Sequence, residues 1–125
     1  VKVENTNSVL LRNMNGWTVP VASAHGEGRA KFQTNNLEEL KKQNQVAMRF
    51  VDSSAEHTEV YPLNPNGSPE GITGITAASG RVTIMMPHPE RVFRKYQMSW
   101  HHKDWPEYSP WMQIFVNAKE YSDEN

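Results

Sequence analysis

Residues 72–90 constrain this chain most. Two segments rich in β-branched and apolar residues, 72–77 and 81–86, are separated by little more than Ser79-Gly80. Branched side chains suit the pleated surface of a strand, and a separation this short is of hairpin length. The second segment, Val82-Thr83-Ile84-Met85-Met86, is nearly continuous hydrophobe and predicts a strand buried on both faces. It stops at Pro87-His88-Pro89-Glu90, where two prolines restrict the backbone.

The other elements are shorter. Residues 1–4 alternate apolar and polar, as a strand does. Residues 5–15 are Asn-rich around Val9-Leu10-Leu11 and predict a turn with a brief helix. Val19-Pro20-Val21-Ala22 predicts a short buried strand, and Ala30-Lys31-Phe32 an edge strand. Thr34, Asn35 and Asn36 are N-cap types ahead of a helix over 37–42, with Glu38 and Lys42 spaced to pair on its solvated face. Val46, Met48 and Phe50 mark a further strand, with Glu59-Val60-Tyr61 as its expected partner. Residues 63–71 are dense in turn chemistry. The last helix has Ser109 as N-cap and Pro110 in its first turn. Trp111, Ile114, Phe115, Ala118 and Tyr121 follow at helical spacing. Strands mixed with two or three helices predict an α/β or α+β class. The strands are few for a helix that needs a sheet to cover, which suits part of a domain as well as a whole one.

Charge and composition narrow the function classes. With 13 basic and 14 acidic residues the net charge is −1, so no basic excess points to nucleic acid. No apolar run is long enough to span a bilayer, and residues 1–4 do not read as a secretory leader, so a cytoplasmic location is expected. The 125 residues suffice for one domain at most. They contain no cysteine, which excludes disulfides, Cys-ligated zinc and a thiol nucleophile within this chain. The first residue is Val rather than Met, so the chain is expected to be processed or to be the tail of something longer.

Three places offer chemistry. In extended backbone, residues two apart point the same way, so His88 and Glu90 can lie side by side at the end of a strand, where functional groups gather in α/β sheets. A carboxylate beside an imidazole fixes its tautomer and stabilises the imidazolium. The plainer alternative is a strand-to-helix turn, with Pro89 opening a helix that carries the basic patch Arg91, Arg94 and Lys95. His25-Gly26-Glu27-Gly28 follows a short apolar segment, and its glycines admit close approach of a ligand; a simple glycine turn is the alternative. Trp100-His101-His102-Lys103-Asp104-Trp105 holds imidazoles and a carboxylate, but the spacing does not match a metal site, and a packed aromatic loop is the expected reading. Asn66-Gly67-Ser68 fits a glycosylation acceptor, although Pro69 argues against its use.

Taken together, these segments resemble a known family. Met85-Met86-Pro87-His88-Pro89-Glu90-Arg91 resembles the His-Pro-Glu segment of class I, triad-type glutamine amidotransferases. Residues 24–29, the 64–73 stretch, Trp100-His101 and Ser109-Pro110-Trp111-Met112 narrow the resemblance. They are similar to the C-terminal end of the glutaminase domain in the long-form phosphoribosylformylglycinamidine synthases.

The resemblance implies an α/β fold: the second half of an open amidotransferase sheet with flanking helices, incomplete as given, over residues 1–125. It implies that the parent enzyme is an ATP-dependent ligase of de novo purine biosynthesis. That parent converts formylglycinamide ribonucleotide, glutamine and ATP to formylglycinamidine ribonucleotide. The expected roles are His88 as general base and acid, Glu90 as the carboxylate orienting it, and His25, Gly26 and Glu27 as lining for the glutamine pocket. No cofactor or metal is expected in this chain; ATP and Mg2+ are expected elsewhere in the parent. The expected partners are glutamine as substrate and the remainder of the parent chain, with neither nucleic acid nor membrane. The family's nucleophile sits in a Gly-x-Cys-Asn-Gly-type turn that this chain lacks, so the isolated chain is expected to be inactive and to expose a sheet edge and an apolar face. Two other readings stay open: a non-catalytic pseudo-glutaminase or interaction module, and an unrelated small binding domain in which Pro-His-Pro-Glu is only a turn.

Overall fold

The computed structural model describes residues 1–23, 28–33 and 35–125. The fold is α/β: among the described residues, a four-stranded antiparallel sheet with two α-helices. The strands are β1 (Lys2–Val3), β2 (Val46–Arg49), β3 (Ile72–Thr76) and β4 (Thr83–Met85), and they lie side by side in chain order. The helices are α1 (Asn36–Lys42) and α2 (Met112–Glu124).

β2 is central, and the sequence shows why it must be. Val46, Ala47 and Met48 are all buried, although adjacent strand residues point to opposite faces. Both faces of β2 are therefore covered. Gly74 in β3 stands opposite Met48, and a Cβ there would come within 2.7 Å of the Met48 Cγ. The glycine inside an otherwise β-branched strand makes room for a core methionine.

The predicted hairpin forms as β3 and β4, with Ile75 opposite Ile84. Its tip is held by the Asn-rich segment near the start of the chain. Asn7 Nδ2 donates to Ala78 O (2.7 Å), Val9 N donates to Gly80 O (2.8 Å), and Ser8 and Thr83 share a 2.6 Å hydroxyl contact. Gly80 sits at φ +73° with the Asn7 carbonyl pressed where a Cβ would be, so only glycine fits there.

β4 corrects an expectation. It is an edge strand rather than one buried on both faces: Ile84 is 60 % exposed and Val82, just before it, 59 %. Hydrophobic composition selects strand, but strand order decides what covers it. Other short segments also differ from their predicted form. Residues 9–13 make turns without a helix, with Asn13 at φ 65° interrupting helical geometry. Residues 30–32 form no strand. Residues 59–61 do not pair with β2, because β3 occupies that edge and β1 the other; Val60 and Tyr61 stay exposed. The expected strand at 19–22 is extended chain tied by single bridges, Thr18 to Lys2 and Ser23 to Pro87. At its start it runs along β1, with Val3 N donating to Trp17 O (2.8 Å) and Val19 N to Val1 O (2.9 Å).

α1 starts as predicted, but Asn35 caps it in a left-handed conformation without a side-chain hydrogen bond, and Thr34 lies outside the described residues. Lys41, rather than Lys42, pairs with Glu38 (3.1 Å). α2 starts later than expected, at Met112 with Trp111 rather than Ser109 at its N-cap, because residues 110–111 form a turn; it buries Ile114 and Asn117, while Phe115 and Ala118 face outward. A single cluster joins Val3, Leu11, Met14, Val19, Ala47, Met48, Val92, Trp111 and Ile114. Trp111 is fully buried there. Asn117 completes the packing from the polar side: its Nδ2 donates to Leu10 O and Arg12 O, both at 2.8 Å, and so ties α2 to the turn that precedes β1's neighbouring strand segment.

Candidate functional site

Pro87-His88-Pro89-Glu90 leaves the end of β4 as a tight turn. Pro87 and Pro89 are buried, and His88 between them is only partly so. With its neighbours anchored on both sides, the histidine has little freedom to turn inward. His88 N donates to Ala22 O (2.7 Å), and Ser23 bridges to Pro87, so the turn is stitched to the extended segment over 18–23. Pro89 then opens a single 3-10 turn, Pro89–Arg91, with Arg91 N donating to His88 O (3.0 Å). The longer helix expected to carry Arg91, Arg94 and Lys95 does not form: a second 3-10 turn, Lys95–Gln97, follows after extended chain at Arg94.

The expected pairing of side chains is present. His88 Nδ1 lies 2.7 Å from Glu90 Oε1. A carboxylate only accepts, so the imidazole carries its proton on Nδ1 and donates to Glu90. That leaves Nε2 as the basic nitrogen, and it makes no hydrogen bond among the described residues. Modest burial acts to raise the Glu90 carboxyl. The hydrogen bond from His88, with the Glu90 N–H and the charges of His88 and Arg91, outweighs it and holds the group below the ordinary carboxylate range. The pair is therefore a carboxylate held ionised beside an imidazole that it orients through Nδ1. Such an arrangement can take a proton from an acid on its open side and return it to a leaving group.

His25, Gly26 and Glu27 lie outside the described residues. Gly28 O accepts a hydrogen bond from Asn66 Nδ2, and Ala30 N donates to Ser68 Oγ (3.2 Å). Gly28 also packs against the Met86 thioether so closely that a Cβ would overlap it. Segment 28–30 is thus held between the 64–68 loop and the residue just before Pro87. With β3 and β4 it lines a cavity of about 310 Å³ floored by Ile72, Gly74, Ile84 and Met85. Thr73 Oγ1 is buried and has no hydrogen-bond partner among the described residues.

The loop that clamps this segment was readable only as turn chemistry. Asn64 is 1 % exposed and uses its whole amide: Nδ2 donates to Thr58 O and Ser68 O, each at 2.9 Å, and Oδ1 accepts from Gly67 N (2.9 Å) and Ser68 N (3.2 Å). Ser68 Oγ donates to Asn66 Oδ1 (2.7 Å). Asn66, with its amide engaged on Gly28, is a structural residue rather than an open glycosylation acceptor. Buried asparagines at Asn64 and Asn117 carry no sequence signal except Asn within turn-rich or helical stretches; Asn64 bonds backbone groups within six residues, Asn117 the distant carbonyls of Leu10 and Arg12.

The remaining candidates are engaged locally. His102 Nδ1 accepts from Asp104 N (3.2 Å), and His101 packs edge-on to Tyr96. Among the described residues no group of three potential ligands could hold a metal ion. Lys95 Nζ donates to Trp105 O (3.0 Å), and Arg94 lies over the Phe93 ring, so this basic patch is largely spent on its own neighbours. No helix among the described residues is long and apolar enough to cross a membrane.

A histidine fixed by a carboxylate two residues on, at the end of a strand and beside a loop-held segment, is one of the arrangements used by hydrolytic amide chemistry. The comparison with protein families agrees with that chemistry. The family description "CobB/CobQ-like glutamine amidotransferase domain" matches residues 1–122, nearly the full length, and this chain belongs to that family.

Proposed function

We propose that this chain is the His–Glu-bearing portion of a glutaminase that releases ammonia from glutamine, and that its nucleophilic cysteine comes from residues outside these 125. The observation that carries the reading is the 2.7 Å His88–Glu90 contact, with no hydrogen bond to Nε2 among the described residues. In this reading His88 Nε2 takes the cysteine proton, and the thiolate adds to the glutamine carboxamide carbon. The resulting imidazolium, stabilised by Glu90, returns the proton to the departing nitrogen. Ammonia leaves and a glutamyl thioester remains. Nε2 next takes a proton from water as it attacks the thioester. Glutamate is released, and the proton returns to the sulfur. General acid–base help of this kind is worth about 10²–10⁴ in rate. His25, Gly26 and Glu27 contribute to glutamine binding in the same reading, supported by the way segment 28–30 is clamped beside the His88 turn.

The finer reading is that the ammonia serves formylglycinamidine ribonucleotide formation in purine biosynthesis, in the cytoplasm, within a long-form phosphoribosylformylglycinamidine synthase. It rests on the ordered sequence resemblance in segments 24–29, 64–73, 85–91, 100–101 and 109–112. The test is His88→Ala in the intact enzyme. Glutamine-dependent product formation is expected to fall on the order of 10⁴–10⁶-fold, by comparison with triad histidines, while synthesis from added ammonium salt persists. Full glutamine-dependent activity of His88→Ala overturns the reading.

A further inference from the structure

The start of α2 grips both strands of chain that meet at His88. Ser109 is buried and makes contacts on either side of its own backbone. Its Oγ donates to Val92 O (2.6 Å), and its N donates to Phe93 O (2.7 Å). Val92 N in turn donates to Pro89 O (3.0 Å), which closes the 3-10 turn that begins at His88. Two residues on, the fully buried Trp111 sends its indole Nε1–H to Pro20 O (2.8 Å). Pro20 lies two residues before Ala22, whose carbonyl accepts the His88 N–H (2.7 Å). Ser109 Oγ also accepts from Trp111 N (3.2 Å), locking the two anchors together.

These contacts form a closed circuit. It runs from His88 through Ala22 and Pro20 to Trp111, across to Ser109, and back through Val92 and Pro89 to His88. We infer that Ser109 and Trp111 are positioning residues for the His88 imidazole: the α2 N-terminal turn sets where Nε2 points by fixing both backbone segments that flank it. The inference rests on the glutaminase reading above. Neither residue lies in the Pro87–Glu90 turn. A hydroxyl lost at residue 109 frees Val92 O and loosens the 3-10 turn. An indole N–H lost at residue 111 frees Pro20 and the segment whose Ala22 holds His88 N. An error of about 1 Å in a reacting group costs about 100-fold in rate.

The experiment is steady-state glutamine hydrolysis by the intact enzyme carrying Ser109→Ala, Ser109→Thr or Trp111→Phe. Ser109→Ala and Trp111→Phe are expected to lower kcat about 10- to 100-fold, with KM for glutamine little changed. The acidic limb of the kcat–pH profile is expected to move, because the imidazole no longer meets Glu90 squarely. Ser109→Thr keeps the hydroxyl and is expected to restore most of the rate and the original profile. An unchanged kcat and pH profile in both Ser109→Ala and Trp111→Phe overturns the inference. So does a rate loss that follows only a lowered Tm with the profile unmoved, or failure of both variants to yield soluble protein, since each makes the residues merely structural. The two levels separate cleanly: an active His88→Ala removes the glutaminase reading itself. An inactive His88→Ala beside fully active Ser109→Ala and Trp111→Phe removes this inference alone.

Discussion

Two proline-bearing turns in this protein use their polar residues to opposite ends. The 64–68 loop turns its polar side chains inward. Asn64 is buried with all its amide valences satisfied, and Ser68, fully buried, bonds to Asn66 and to the backbone of Ala30. The 87–90 turn buries its prolines and presents its polar groups outward. His88 and Glu90 bond to each other, and among the described residues the second imidazole nitrogen makes no hydrogen bond. A polar group whose every valence meets the protein's own backbone can do nothing but hold structure. A titratable pair whose geometry is fixed but whose bonding is incomplete has capacity for a substrate. The contrast separates a scaffold from a site with no reference to residue type.

The sharpest way to break the comparison is Glu90→Gln. An amide in place of the carboxylate can present its NH2 to Nδ1, which favours the wrong tautomer and withdraws the negative charge from the imidazolium. Glutamine-dependent kcat is expected to fall about 10⁴-fold, as for the neutral replacement of a triad carboxylate, with thermal stability nearly unchanged because the side chain is exposed. A rate within about tenfold of the parent in a coupled glutamate-release assay makes the 87–90 turn structural like its counterpart.

Asn64→Ala inverts the expectation: a large stability effect with a secondary one on activity. It strands the carbonyl of Thr58 and the N–H of Gly67 and removes one of two partners from both Ser68 N and Ser68 O, which keep Asn66 Oδ1 and Gly71 N. Loss of such a buried network costs about 2–4 kcal/mol, read as a lower midpoint in urea. An unchanged midpoint shows that the loop holds itself by backbone alone.

The smallest effect concerns Glu70, the acidic centre of a charged group remote from His88. Lys41 Nζ lies 2.8 Å from its Oε1 and Arg49 3.4 Å. The Lys41 hydrogen bond, against some burial, holds the Glu70 carboxyl below its ordinary value of 4.5. A carboxyl whose folded pKa is depressed contributes stability above its unfolded pKa, and that contribution is lost as pH falls through the folded pKa. Tm is therefore expected to decline below about pH 4.5, and the decline to be shallower in Glu70→Gln. For a partly exposed pair the difference at neutral pH is expected to be under ~1 kcal/mol. Parallel Tm–pH curves for the two proteins remove Glu70 from the acid limb.

The strands and the last helix were legible because their signals are local. Alternation marks β1, branching marks β3 and β4, and Ser109-Pro110 with apolar residues at helical spacing marks α2. His88 and Glu90 were legible for the same reason: the pair is formed by residues two apart in one extended turn, so sequence spacing is already geometry. The misreadings share the opposite property. Met85 and Ile84 looked doubly buried because composition records hydrophobicity but not strand order, and β4 turned out to be an edge. Glu59-Val60-Tyr61 looked like a partner for β2, but residues with β propensity pair only where an edge is free.

By itself, then, the sequence determined the class of fold, the hairpin, the presence of the two helices, the absence of a thiol, and the identity of the imidazole–carboxylate pair, all matters of neighbouring residues. Only the tertiary structure decided which strand lies at the edge and that Asn64, Ser68 and Asn117 are buried. It also decided that Ser109 and Trp111, just before α2, reach back to Val92 and Pro20 in the segments that flank His88. Those contacts join residues far apart along the chain, and a hydrogen bond between distant residues leaves no periodicity for a sequence to display.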